Sequence, residues 1–252
     1  MIMKFGRGAQ PNALAIESNC GIVLLARYNS RRLPGKALRL IQGKPTLDHV
    51  LARLELVVPR DQIILATSNE ASDQPLAEYA QSRGLACYRG SLERVGERFF
   101  AAAEVLGFPY AARINGDNIF LDAEVLQTLL KETESGQYDF LSNVKGRTFP
   151  RGMSVEIVRL DYYRTFLPQI SANAHFNEHV MVCLYAQDEA GDRHYYLQNT
   201  QCPEAAGLQL ALDTAEDLKR SQWILAHLPP GEPGSLSQIT SLALAYDRDI
   251  EG

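Results

Sequence analysis

The densest chemistry in the chain lies in Arg27, Ser30, Arg31, Arg32 and Lys36, which follow directly on the apolar run Ile22 to Ala26. Such a run has the composition of a strand buried on both faces of a parallel sheet, and Pro34-Gly35 forces a turn just before the lysine. Four cations at the carboxyl end of a buried strand repel one another unless an anion sits among them, and open α/β sheets place their ligands at that end. Guanidinium and ammonium groups favour phosphate oxygens, so a polyphosphate is the expected guest. A solvated loop is the bland alternative for any pair of arginines; the shared turn and the buried strand weigh against it. Neither G-x-x-x-x-G-K-[ST] nor G-x-G-x-x-G occurs, which removes most support for an ATPase or a dinucleotide-binding protein.

Asn115-Gly116-Asp117 and Leu212-Asp213-Thr214 each set a carboxylate just beyond an apolar run. Two aspartates brought to one sheet edge make a hard oxygen site suited to Mg²⁺, which takes its other ligands from water and phosphate. Each aspartate alone is equally a common turn or cap residue. Thr67-Ser68 and Arg89-Gly90-Ser91 place small polar groups at neighbouring strand ends, where they make either a floor for a pyrimidine base or ordinary turns. His175-Phe176-Asn177-Glu178-His179 matches H-x-x-E-H, two imidazoles one helical turn apart beside a glutamate, as in inverted zinc peptidases.

Bringing these groups together requires strands and helices that alternate, and the periodicities supply them. Thr46 caps a helix with Leu47, Val50, Leu51 and Leu54 on one face; strands are expected over 62–66, 86–88 and 110–114, with helices over 75–84 and 92–106 between them. Four alternations predict right-handed βαβ units in a mostly parallel α/β sheet with helices on both faces. Further on, a helix over 124–131 capped by Asp122, strands over 138–143 and 154–158, a helix over 177–185, a last strand over 209–212 and a helix over 215–226 are expected. The alternation breaks at Lys145, so 145–205 is expected to form a small inserted subdomain for acceptor choice and dimerisation within a single domain over 21–252. Residues 1–20 contain Lys4, Arg7 and Glu17 without a continuous apolar core, and are expected to be a loose extension and not a signal peptide.

Bulk properties narrow the classes. The 252 residues suffice for one large domain, and 46% hydrophobic with 22% charged residues is ordinary for a globular protein. A net charge of −5 argues against a general nucleic-acid binder, so positive charge is local. Cys20, Cys87, Cys183 and Cys202 form no C-x-x-C pair, which points to a reduced, cytoplasmic setting. No apolar stretch is long enough for a membrane span.

The segment Ala26 to Lys36, with Gln42-Gly43-Lys44-Pro45 after it, resembles the signature loop of the cytidylyltransferases that make CMP-activated sugars. It is most similar to the branch named for spore coat polysaccharide biosynthesis protein F, related to the CMP-KDO and CMP-sialic acid synthetases. The resemblance implies a nucleotide-diphospho-sugar transferase-like, Rossmann-like fold whose loop cradles the CTP phosphates. Ala26, Arg27, Ser30, Arg32 and Lys36 would then bind the nucleotide, with Arg27, Arg32 and Lys36 serving catalysis. Thr67, Ser68, Arg89, Gly90 and Ser91 would lie at the base, and Asn115 beside Asp117. Arg94 takes a position that is acidic in the family, which loosens the expectation of which base is read.

Gly116-Asp117 stands where that family has Gly-Asp-x-Pro, and Asp213-Thr214-Ala215-Glu216-Asp217-Leu218 resembles its closing Asp-Thr-Pro-Glu-Asp-Leu, with Ile119 and Ala215 replacing prolines. The matching aspartates there bind magnesium, which assigns Mg²⁺ to Asp117 and Asp213 by resemblance. Phe149 to Glu156 resembles Pro-Arg-Gly-Leu-Asp-Val-Glu with Ser154 in place of the aspartate, making Arg151, Glu156 and His179 the expected acceptor contacts. Glu178-His179-Val180 also matches a Glu-His-Val step of that branch and so accounts for part of the zinc pattern without a metal. The implied activity is transfer of CMP from CTP to a small acidic sugar, a nonulosonic acid or KDO-like, by a homodimer that releases pyrophosphate. The alternatives are a phosphonate or phosphate acceptor, a nucleotide-sugar-dependent glycosyltransferase, a non-catalytic CTP-binding regulator, and, remotely, a zinc hydrolase.

Overall fold

The computed structural model of the protein describes residues 2–3 and 18–251. Strand β1 (Ile2–Met3) lies at a sheet edge and β2 (Cys20–Leu25) in the sheet interior. A hairpin of β3 (Leu40–Ile41) and β4 (Lys44–Pro45) leads into helix α1 (Thr46–Leu54). The alternation continues through β5 (Ile63–Ser68), α2 (Gln74–Ser82), β6 (Ala86–Gly90), α3 (Val95–Leu106) and β7 (Tyr110–Asn115). After α4 (Ala123–Glu132) and β8 (Phe140–Ser142) come β9 (Glu156–Arg159), α5 (Leu160–Ala172), α6 (Ala174–Glu178), α7 (Val182–Tyr185) and β10 (His194–Tyr196). Helices α8 (Ala215–His227) and α9 (Leu236–Glu251) follow.

The main sheet has eight strands in the order β1-β6-β5-β2-β7-β9-β8-β10. Strands β6, β5, β2 and β7 are parallel, β9 runs antiparallel between β7 and β8, β10 is parallel to β8, and β1 is antiparallel to β6. From β2 the chain builds outward to β5 and β6, then returns to β7 on the other side. That reversal opens a crevice at the carboxyl ends of β2 and β7, the place where open α/β sheets bind ligands.

Alternation along β2 divides the core between the two sheet faces. Ile22 and Leu24 pack with Leu47, Leu51 and Leu129 of α1 and α4, whereas Val23 and Leu25 pack with Phe99, Tyr163 and Ile170 of α3 and α5. Helices on both faces follow from this double burial. The mostly parallel α/β architecture is therefore the one the sequence predicts.

Several elements differ from expectation. Residues 209–212 form no strand: Gln209 makes a single bridge to Arg151, and Leu210 and Leu212 are buried by packing. The helix expected over 177–185 splits into α6 and α7 around Val180, whose φ of +41° is one that a β-branched residue adopts only when its surroundings impose it. Within 145–205, the stretch expected to form a subdomain, β9 and β10 belong to the main sheet. Ile2 and Met3 of the expected loose extension pair with Tyr88 and Cys87, while residue 1 and residues 4–17 lie outside the described residues. Among the described residues, no helix is long and apolar enough to cross a membrane.

Candidate active site

The loop after β2 is closed on itself by backbone bonds. The Tyr28 carbonyl accepts from Ser30 N–H at 3.0 Å and Gly35 N–H at 2.9 Å, and Gly35 takes φ +68°, so Lys36 emerges immediately after a tight turn. Its ammonium then donates to Asp117 Oδ2 at 2.6 Å and Asp213 Oδ1 at 2.8 Å. Arg32 Nη2 lies 2.9 Å from Asp213 Oδ2. The Lys36, Asp117 and Asp213 side chains are 15%, 18% and 22% exposed, so this is a half-enclosed cluster in which attraction is stronger than in open water. Burial alone would lower the Lys36 pKa, but the two carboxylates outweigh it and raise it above 10.5.

Backbone contacts bring Asp213 to Asp117. Leu212 N–H donates to the Asp117 carbonyl at 3.2 Å, joining the two segments next to their carboxylates. Thr214 and Asp217 form a reciprocal capping box at the start of α8, and Asp217 Oδ2 also accepts from Asp213 N–H at 3.1 Å. Gly116 lies so near β2 that a Cβ there would sit 2.9 Å from Leu47 and 3.0 Å from Ala26, which holds Asp117 tight against the strand end.

A cavity of about 890 Å³ opens over this cluster, ample for a nucleotide and an acceptor. Arg32, Asn115, Asp117 and Asp213 line it together with Arg113, Arg151, Glu156 and His179. Glu156 is buried, with one carboxylate oxygen paired to Arg113 and the other accepting from Tyr185 Oη at 2.7 Å, so it orients its neighbours instead of facing the cavity freely. Ser142 Oγ lies 2.6 Å from the same Tyr185 hydroxyl. Arg151 is exposed, and its backbone pairs with Leu208 and Leu210 at 2.8 Å each.

Other expected residues stand elsewhere. Thr67 and Ser68 are fully buried, Thr67 Oγ1 and Ser68 N–H both donate to Asp73, and neither side chain lines the cavity. The Arg89 guanidinium is engaged by Ser68, Glu70 and Gln74, and Ser91 Oγ accepts from Arg94 N–H at 3.2 Å. These residues and Gly90 brace the strand ends and do not offer side chains to the cavity. Ser30 Oγ accepts from Leu33 N–H, Ala26 is core, and Arg27 is exposed without lining the cavity.

The donor set fits Mg²⁺. Asp117 Oδ1 is buried and has no hydrogen-bond partner among the described residues, which leaves a hard oxygen unpaired in a residue that shares Lys36 with Asp213. Two carboxylates suffice for an ion that completes its octahedron with phosphate and water. Zinc fits less well: His175 and His179 are exposed with rings 4.6 Å apart, and no group of three or more His, Cys, Asp or Glu among the described residues could hold a metal.

Sequence reading missed Arg113 and Tyr185 on the cavity wall and Asp73 beneath Thr67 and Ser68. Arg113 carried a signal, since an arginine inside the otherwise apolar strand Tyr110–Asn115 demands a buried partner. Asp73 gave none, because an aspartate before a helix reads as an ordinary cap.

Comparison with known proteins places the chain in a family. The spore coat polysaccharide biosynthesis protein SpsF of Bacillus subtilis (strain 168) is 29% identical over 204 residues, covering 77% of this chain and 81% of that protein. A 3-deoxy-manno-octulosonate cytidylyltransferase of Alteromonas mediterranea is 32% identical over 104 residues, 41% of each chain. The solved structure of a cytidylyltransferase from Leptospira borgpetersenii superposes with a TM-score of 0.80 at 24% identity, covering 93% of this chain and 96% of that one, a likeness of fold. The cytidylyltransferase family model matches residues 21–220, and a match of that length shows that the chain belongs to the cytidylyltransferase family and is a CTP-dependent nucleotidyltransferase.

Proposed function

We propose that the protein transfers CMP from CTP to a hydroxyl of an acidic sugar, a nonulosonic acid or a KDO-like acid, and releases pyrophosphate. The observation that carries this reading is the pairing of Lys36 and Arg32 with Asp117 and Asp213 at the wall of a cavity lined by Arg32, Asp117 and Asp213 and also by Lys145, Arg147 and Arg151. Cations on that lining favour an anionic acceptor. The one relative above that is named for its acceptor takes an octulosonate, an acidic sugar.

The acceptor oxygen forms a bond to the α-phosphorus and gives its proton to solvent, while the bond from that phosphorus to the bridging oxygen breaks and pyrophosphate carries away the electron pair. Lys36 and Arg32 would neutralise phosphate oxygens, and Asp117 and Asp213 would hold Mg²⁺. When bound there, that ion supplies positive charge at the α-phosphate and eases loss of the acceptor proton. The protein's share is positioning and charge neutralisation. All four cysteines are free and buried, which suits a cytoplasmic setting, and a homodimer is the proposed assembly.

The test is a pyrophosphate-release screen of the four ribonucleoside triphosphates against a panel of acidic sugars, phosphonates and phosphates. Release with CTP and an acidic sugar supports the proposal. Release only with a phosphonate or phosphate, or CTP binding without turnover on any acceptor, overturns it.

A further inference from the structure

Asp73 immediately precedes α2, yet its side chain makes no capping bond to that helix. It is 1% exposed and accepts three hydrogen bonds from elsewhere: Tyr28 N–H to Oδ1 at 2.8 Å, and the Thr67 hydroxyl and Ser68 N–H to Oδ2 at 2.9 Å each. Tyr28 lies 45 residues away and is the residue whose carbonyl closes the loop by accepting from Ser30 and Gly35. One residue is thus gripped at its amide by Asp73 and at its carbonyl by the turn that presents Lys36. The same carboxylate stabilises the charge of Arg98, a buried guanidinium that burial pushes down to about 10 and that Arg27 also opposes. Arg98 in turn donates to the carbonyls of Ser91 and Leu92 after β6.

We propose that Asp73 is a positioning residue for the nucleotide: it pins the phosphate loop, through the Tyr28 amide, to the end of β5. Three converging donors require a group that only accepts, which is what an ionised carboxylate is and an amide is not. Burial by itself would raise the Asp73 pKa, but the bonds from Ser68, Tyr28 and Thr67 outweigh it and hold the carboxyl below the usual aspartate value, so it is ionised at neutral pH. The acceptor half of the cavity, built on β7, β9 and α7, does not touch Asp73 in any of these bonds. The proposal rests on the CTP reading given above.

The experiment is calorimetric titration of the full chain with CTP and Mg²⁺, wild type against Asp73→Asn and Thr67→Val, alongside steady-state kinetics. Asp73→Asn is expected to weaken CTP binding roughly 10- to 100-fold, the scale of lost hydrogen bonds to a charged group. The KM of an acidic-sugar acceptor at saturating CTP should change less than about twofold, since only ground-state nucleotide binding is affected. Thr67→Val removes one donor and is expected to weaken CTP binding in the same direction by a smaller factor, which serves if Asp73→Asn does not fold. A lower melting temperature with wild-type CTP affinity in the folded variants makes Asp73 merely structural and overturns the proposal. Wild-type protein that does not bind CTP at all overturns the nucleotide reading itself.

Discussion

The Lys36 ammonium lies 2.6 Å from Asp117 Oδ2, although 81 residues separate the two in the chain. The same ammonium meets Asp213, so a single cation from the loop after β2 stands between two carboxylates delivered by the end of β7 and the start of α8. Neither carboxylate could be left half-buried without a positive partner. The cluster is balanced before any nucleotide arrives, and whatever binds there must exchange partners with Lys36.

Lys36→Ala is expected to lower pyrophosphate release by about 10²- to 10³-fold, the loss seen when one preorganised charge donor is removed from a site of this kind. Because Asp117 and Asp213 then lose their shared cation, the variant should also bind Mn²⁺ more tightly than wild type in the absence of nucleotide. Thermal melting checks that the fold survives, and titration followed by electron paramagnetic resonance reads free Mn²⁺. Near-normal turnover would remove Lys36 from the mechanism.

The raised pKa of Lys36 has a stability signature. A cation whose folded pKa exceeds its unfolded value of 10.5 contributes stability that is complete below 10.5 and is lost as pH rises through the folded value. The difference in unfolding free energy between wild type and Lys36→Met should therefore be flat from about pH 8 to the unfolded value and then shrink at higher pH. Urea titrations across that range measure it, and a difference that grows with pH would contradict the ion-pair geometry.

Arg113 and Glu156 form a partly buried pair between β7 and β9, with Tyr185 completing the shell of Glu156. Glu156→Gln leaves a guanidinium without its counter-charge and should cost about 3 to 5 kcal/mol. Tyr185→Phe removes the hydroxyl's two hydrogen bonds, to Glu156 and Ser142, but leaves the charge pair intact and should cost only about 1 to 3 kcal/mol. Chemical denaturation of both variants separates the two, and equal losses would mean that the charge is not what matters.

The parallel half of the sheet is legible in the sequence because β2, β5 and β7 are short apolar runs that end in turn residues, and the helices between them carry clear apolar stripes. Lys36, Asp117 and Asp213 are legible for a related reason, since each follows such a run and charge there requires a partner. What is not legible depends on contacts between distant segments. Leu210 and Leu212 look like strand residues, yet their neighbours are loop backbones at Arg151 and Asp117. The base-side polar residues look like ligands, yet Asp73 and Arg89 draw them into scaffolding, a pairing that no local pattern encodes. Helix α5 carries Pro168 inside it and is sustained by burial of Tyr163, Phe166 and Ile170, not by propensity.

Gly152 takes φ +94°, and a Cβ there would lie 2.4 Å from Ala211 N. Gly152→Ala must either strain the backbone or push the segment carrying Arg151 away from 208–211, costing about 2 kcal/mol or more. Since Arg151 lines the cavity beside Asp213, acceptor KM should rise alongside the drop in melting temperature. An unchanged KM would place Arg151 outside acceptor binding.

Metal removal distinguishes the two metal readings of the chain. Chelation should abolish pyrophosphate release, with activity restored by Mg²⁺ or Mn²⁺ and not by Zn²⁺, because the available donors are carboxylate oxygens and not a set of imidazoles. Asp213→Asn removes the charge of an oxygen donor whose counterpart, Asp117 Oδ1, already lacks a hydrogen bond, so turnover should fall by orders of magnitude. The Mg²⁺ concentration for half-maximal rate should rise by about tenfold or more. His175→Ala, by contrast, alters an exposed ring outside the cavity and should leave turnover and metal dependence as in wild type. Stoichiometric zinc in the purified protein, lost in His175→Ala together with activity, would reverse the assignment and move the chemistry to the segment around α6.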